Sequence, residues 1–257
     1  MEIRFFLMTF GRSKIDFRID KLILKFKIMG KLKLIFSSLL LSMSLGLTHA
    51  QDWANLNRYK DENGKLGLPL PEENRIVFMG NSITEGWSKI RPDFFSAKSY
   101  INRGISGQTT PQMLLRFRSD VINLKPVLVV ILAGTNDIAG NTGPSTLEMI
   151  LDNIISMSEL AQANGIKVIL SSVLPAFDYP WKPGLNPAEK IAALNMMIKK
   201  YADQNGIIYL DYYTSMVDER KGLKKEYSND GVHPNEAGYK IMEPLAEEAI
   251  KKELVKK

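Results

Sequence analysis

Val127-Leu-Val-Val-Ile-Leu132 is apolar at every position. A strand wetted on one face alternates polar and apolar residues. An unbroken run therefore fits a strand covered on both faces, the usual condition in a parallel sheet. The strand signal extends over Val127–Ala133, and four similar runs stand far from it and from each other: Arg75–Met79, Tyr100–Ile105, Lys167–Leu174 and Ile207–Tyr212. Between them lie helical patterns. Leu147, Ile150, Leu151, Ile154 and Ile155 share one helix face, as do Ile191, Leu194, Ile198 and Tyr201, and then Ile241, Leu245 and Ala249. Asn164-Gly165 and Asn205-Gly206 read as helix stops leading straight into strands. Strands alternating with helices at this spacing predict an α/β fold, a five-stranded parallel sheet with helices on both faces. In such folds ligands bind beyond the carboxyl ends of the strands, so the loops after the strands are the places to inspect.

The first 50 residues have a different character. Lys31 and Lys33 precede an apolar run from Leu34 to Leu47, followed by the small-residue exit Thr48-His49-Ala50. That is the layout of an export signal over about residues 29–50, with cleavage expected between Ala50 and Gln51. The run is too short to favour a membrane span, which needs about 20 residues. Residues 1–50 are therefore read as an N-terminal leader and residues 51–257 as a single domain, a free exported protein without stable membrane insertion. The leader holds nine of the 34 Lys and Arg and three of the 28 Asp and Glu, leaving 25 of each sign in the rest. The net charge of +6 thus belongs to the leader and gives no reason to expect nucleic acid as a partner. The chain has no cysteine, which excludes disulfides, thiolate nucleophiles and a lipid-anchoring cysteine.

Four loops carry chemistry. They are Gly80-Asn81-Ser82-Ile83-Thr84 after the first strand, Asn102-Arg103-Gly104-Ile105-Ser106-Gly107 after the second, Gly134-Thr135-Asn136-Asp137 after the third, and Asp230-Gly231-Val232-His233-Pro234 before the last helix. Of two histidines, His49 falls in the leader, leaving His233. One histidine without clustered carboxylates makes no metal site, and no cofactor is implied. Asp230, three residues before His233, is placed to hold one ring nitrogen and leave the other as a base. The bland alternatives are a surface Asp and His in a turn and a Ser that only caps a helix. A hydroxyl is a weak nucleophile until a base takes its proton, and His233 is the base available to Ser82. The backbone N–H of Ser82 at a helix start, the N–H of Gly104 and the amide of Asn136 are expected to face a developing oxyanion. Trp87, Tyr179 and Trp181 are candidate substrate-binding aromatics. The last two lie in the irregular segment Pro175–Pro187 and either line a pocket or tuck that loop down.

These motifs, in this chain order, resemble the SGNH, or GDSL-like, family of ester hydrolases. Ser82, Gly104, Asn136 and His233 match the four signature residues, and Asp230 matches the family's triad acid. The resemblance covers about residues 75–240. It implies a flavodoxin-like three-layer α/β/α fold and metal-free catalysis through an acyl-enzyme. It departs at Asn81, where the family often carries Asp. The expected function is hydrolysis of small esters, with O-acetyl groups on carbohydrate preferred. The alternatives are a lysophospholipase or thioesterase, an acyltransferase, and a non-catalytic carbohydrate-binding protein. Activity is expected to rise with pH as the imidazole loses its proton.

Overall fold

The computed structural model describes residues 21–33 and 52–256, and the chain divides into two units, residues 1–52 and 53–257. In the first unit, residues 21–33 form a helix whose residues are all exposed. The apolar run at 34–47 and the expected cleavage point lie outside the described residues. No helix among the described residues is long and apolar enough to cross a membrane.

The second unit is built on five parallel strands: β1 (Ile76–Gly80), β2 (Tyr100–Gly104), β3 (Leu128–Leu132), β4 (Lys167–Ser171) and β5 (Ile208–Leu210). Their order is β2-β1-β3-β4-β5. The chain leaves β1 to one side for β2 and returns on the other side as β3. A crevice therefore opens at the carboxyl ends of β1 and β3, where the winding reverses. The nine helices described in this unit are α1 (Lys60–Leu66), α2 (Ser82–Ile90), α3 (Pro92–Ser96), α4 (Thr110–Asp120), α5 (Thr135–Ile138), α6 (Leu147–Gln162), α7 (Ala188–Gln204), α8 (Tyr213–Met216) and α9 (Glu236–Val255).

Alternate residues of the central strands feed two separate cores. Val77, Met79, Val129, Ile131, Val168 and Leu170 pack against Met113 and Phe117 of α4, Ile150, Ile154 and Met157 of α6, and Ile191, Leu194 and Ile198 of α7. Ile76, Phe78, Leu128, Val130 and Ile169 face the other way, onto Trp87 of α2, Phe94 and Phe95 of α3, and Tyr239, Met242 and Ala246 of α9. Both faces of β3 are buried, which is why its sequence shows no alternation. The Asn-Gly stops end α6 and α7 with Gly165 at φ 72° and Gly206 at φ 64°, turning each chain directly into a strand.

Candidate active site

β1 ends at Gly80, and the chain turns at once into α2 with Ser82 as its first residue. Asn81 is the N-cap: its Oδ1 accepts the N–H of Ile83 at 3.3 Å, and its carbonyl accepts that of Glu85 at 2.9 Å. An amide oxygen caps a helix as well as a carboxylate does, so this step keeps its geometry with Asn in place of Asp. The half-buried Ser82 hydroxyl lies 2.9 Å from Nε2 of His233. On the far side of the ring, Nδ1 lies 2.7 Å from Oδ2 of Asp230. A carboxylate only accepts, so Nδ1 carries the proton and Nε2 presents its lone pair to Ser82. Burial pushes the Asp230 carboxyl up. Hydrogen bonds from the His233 ring and from the N–H groups of His233 and Val232 outweigh that and bring it down to about 2.

The loop carrying the pair is organised by Ser228, which sequence reasoning missed. Its Oγ accepts the N–H of Gly231 at 2.9 Å and that of Asp230 at 3.3 Å. The same oxygen lies 2.7 Å from the carbonyl of His233 and 3.1 Å from Oδ1 of Asp230, two alternative acceptors for its single proton. A serine two residues before an Asp-Gly turn was the available signal.

The opposite wall of the site corrects one expectation. The N–H of Gly104 donates to Oδ1 of its neighbour Asn102 at 2.9 Å, and its carbonyl accepts the Tyr59 hydroxyl. A Cβ placed on Gly104 would lie 2.1 Å from the backbone N of Glu85. Gly104 is therefore glycine because α2 packs directly on the end of β2, and its N–H is already used. Gly107, three residues on, is the free donor. It sits third in a turn closed by Gln108 N–H to Ile105 C=O at 3.3 Å, with φ 78°, a position that calls for glycine. It is exposed, and its N–H makes no hydrogen bond among the described residues.

Asn136 stands on α5, just past β3, and its Nδ2 donates one proton to the carbonyl of Gln108 at 2.9 Å. The amide thus rests against the Gly107 turn with a second N–H to spare. Beside it, Asp137 accepts the Thr110 N–H at 2.9 Å and the Thr110 hydroxyl at 2.6 Å, fastening α5 to the start of α4. Burial raises the carboxyl pKa of Asp137, against the pull of those Thr110 bonds. Glu85 accepts the backbone N–H of Ser106 at 2.9 Å and also its hydroxyl, so α2 holds the same turn from another side.

Behind both walls lies Arg116, fully buried on α4. Its guanidinium donates to the Gly80 carbonyl at 2.9 Å, to the Gln108 side-chain oxygen, and to Asp120 at 3.0 Å. Gln108 in turn donates to the carbonyl of Ala54 at 2.7 Å, which ties in the segment ahead of α1.

The arrangement brings a hydroxyl, a base, an orienting acid and a set of N–H donors to the carboxyl ends of β1, β2 and β3. Residues 78–241 match the model of the GDSL-like lipase/acylhydrolase family. The chain belongs to that family. Among solved structures it is similar to a GDSL-like lipase of Bacteroides thetaiotaomicron, 55% identical, with a TM-score of 0.76 over 77% of this chain and 98% of that one. It is also 26% identical over 231 residues to an acetylxylan esterase of Xylanibacter ruminicola, covering 74% of this chain and 46% of that protein. A third relative, Esterase TesA of Pseudomonas aeruginosa, is 28% identical over 161 residues, 61% of this chain and 73% of that one. The chain spans only about half the length of the acetylxylan esterase.

On this GDSL-like framework the three candidate aromatics divide. Trp87 is 2% exposed, stacked between Phe94 at 4.8 Å and Tyr239 at 5.5 Å, ring centre to ring centre. It is a core residue and leaves the list of substrate contacts. Tyr179 is fully buried, its hydroxyl 2.9 Å from Oγ1 of Thr135 beside Asn136. Trp181 stacks on Tyr179 at 4.9 Å, is 44% exposed, and has its ring centre 6.0 Å from that of His233. Of these three, only Trp181 offers an open ring face next to the site. A cavity of about 500 Å³ over the outer edge of β2, lined by Arg58, Glu62, Lys89, Tyr100 and Arg103 among others, includes none of Ser82, Asn136 and His233 in its wall. A groove of about 270 Å³ has Tyr179, Asp230 and Gly231 in its wall and so borders the site directly.

Proposed function

We propose that the protein is a serine ester hydrolase that removes small acyl groups, acetyl foremost, from carbohydrate outside the cytoplasm. The observation that carries this reading is the 2.9 Å approach of Ser82 Oγ to His233 Nε2, with Asp230 2.7 Å behind the ring. As Oγ attacks the ester carbonyl, Nε2 takes its proton, and the carbonyl electron pair moves onto oxygen. The N–H groups of Ser82 and Gly107 and the spare N–H of Asn136 receive that oxyanion. Collapse of the tetrahedral intermediate breaks the bond to the alcohol oxygen, which leaves with the proton held on Nε2. Water then repeats the attack on the acyl-enzyme, releasing the acid and restoring Ser82. Asp230 stays ionised throughout and stabilises the imidazolium of each half-reaction.

The acetyl-carbohydrate assignment draws on the similarity to an acetylxylan esterase and on the groove beside the triad, whose wall combines aromatic rings with charged side chains. Export draws on the basic, apolar and small-residue order of residues 29–50. Sequencing the amino terminus of protein recovered outside the cytoplasm tests it, with Gln51 the expected first residue. For the activity, acetate release from acetylated xylan and hydrolysis of acetyl to decanoyl aryl esters are compared in wild type and Ser82→Ala. Loss of at least about a thousandfold in kcat is expected for the variant. Undiminished turnover by Ser82→Ala would overturn the mechanism. Preference for long acyl chains would replace the acetyl reading with a lysophospholipase or thioesterase. An acyl product on an added acceptor sugar would mark a transferase. Saccharide binding without any turnover would mark a carbohydrate-binding protein.

A further inference from the structure

We infer that the alcohol half of the ester is a saccharide that lies across Trp181 and into the groove between Phe177, Arg220 and Asp230. This rests on the esterase reading above and adds a direction to it. His233 returns its proton to the departing oxygen, so the alcohol leaves from the His233 side of Ser82, and whatever binds the alcohol must lie there. The exposed face of Trp181 is what stands beside that ring, at 6.0 Å and tilted 41°. It is built to stay in place. Tyr179 backs it in a near-parallel stack at 18°, and Lys182 ties the next residue across to the carbonyl of Ala139 at 2.7 Å.

Past Asp230 the groove of about 270 Å³ continues the same wall, with Tyr179, Pro180 and Pro183 along it and Phe177 and Arg220 at its rim. Phe177 is 47% exposed, so two aromatic rings four residues apart are both left open to water on one loop. An exposed aromatic face suits a ligand with flat patches of C–H and a polar perimeter, which describes a pyranose ring. The charged groups of the rim already have partners of their own. Arg220 donates to Asp218 at 3.0 Å while lying over the Phe177 ring, and Asp178 accepts the N–H groups of Tyr179 and Gly184. Among the described residues of this wall no uncommitted cation awaits a phosphate, and a fatty chain would meet charged groups at the rim. A neutral polyhydroxylated ligand fits both conditions.

The test uses the full-length Ser82→Ala protein, which binds without turnover, titrated calorimetrically with partially acetylated xylo-oligosaccharides. Saturable binding is expected, weakened about tenfold by Phe177→Ala or by Trp181→Ala on that background. Trp181→Phe keeps a ring face and is expected to restore most of the affinity. Leu115→Ala, exposed on α4, serves as the unrelated surface control. Thermal melting of each variant confirms folding, and Trp181→Phe keeps the test decisive if Trp181→Ala melts early. Acetate release by wild type together with unchanged affinity in both ring variants would overturn the groove and leave the esterase reading standing. Aryl-ester turnover with no acetate from any saccharide would instead remove the carbohydrate reading itself.

Discussion

The guanidinium of Arg116 donates to the carbonyl of Gly80, 2.9 Å away and two residues ahead of Ser82. The same group holds Gln108, whose own carbonyl receives the Asn136 amide. One buried cation therefore sets the spacing between the Ser82 turn and the Gly107 turn. Arg116→Met leaves Asp120 buried with its charge unmatched by guanidinium, and a stability loss of about 3–5 kcal/mol is expected. In Arg116→Met with Asp120→Asn the charge penalty is relieved while the spacing remains unset. That double variant is expected to recover much of the melting temperature but to keep kcat on an aryl acetate about ten- to a hundredfold low, with KM little changed. Recovery of kcat alongside stability would show Arg116 to be purely structural.

The two glycines of Asn102–Gly107 separate packing from chemistry. Gly104→Ala forces a Cβ to within 2.1 Å of the Glu85 nitrogen on helix backbone, and a loss above about 3 kcal/mol is expected, with the protein largely unfolded at moderate temperature. Gly107→Ala meets no atom within 4 Å and suffers only its φ of 78°, a cost of about 1–2 kcal/mol. It keeps its N–H and is expected to stay folded and active. Denaturant melts of both variants decide between these outcomes.

Trp87 supplies a contrast to Trp181. Trp87→Ala empties a stack in the core and is expected to cost about 3–5 kcal/mol while leaving the relative preference among esters unchanged. A change in substrate preference without loss of stability would return Trp87 to the site.

The Asp230 carboxyl titrates near 2 when folded, against about 3.9 for a free aspartate. A depressed carboxyl pKa contributes stability at pH above about 4, and that contribution fades as pH falls towards 2. Melting temperatures of wild type and Asp230→Asn are therefore expected to differ most above pH 4 and to converge towards pH 2. A gap that widened on acidification would contradict the hydrogen-bond pattern at this carboxylate.

What could be read from the chain and what could not divide along a physical line. β3 was legible because burial on both faces leaves a mark on every residue from Leu128 to Leu132. Ser82, Asp230 and His233 were legible because each sits in a short local motif, and the structure brings the three into hydrogen-bond reach. Gly104 was misassigned because its reason for being glycine is a contact with Glu85, 19 positions away in no pattern that sequence displays. Arg116 had a weak signal that went unused: it shares the buried stripe of Met113, Phe117 and Asp120 at helical spacing. Trp87, four residues after buried Ile83, had a similar one. In both cases local periodicity pointed inward while the residue type invited a surface or ligand role.

Asn102, Arg103 and Tyr59 have an effect that reaches beyond catalysis. β2 is a margin of the sheet, where unpaired peptide groups would accept a strand from another chain. Here the Gly104 N–H is taken by Asn102, the Gly104 carbonyl by Tyr59, and the Asn102 carbonyl by Arg103 at 2.6 Å. At the other margin β5 offers only three residues. These side chains thus blunt the open margin of β2, and one of them, Asn102, also donates to the Thr84 carbonyl and so ties the Ser82 helix to the strand; a substitution at Asn102 or Tyr59 is expected to lower solubility even where it spares folding.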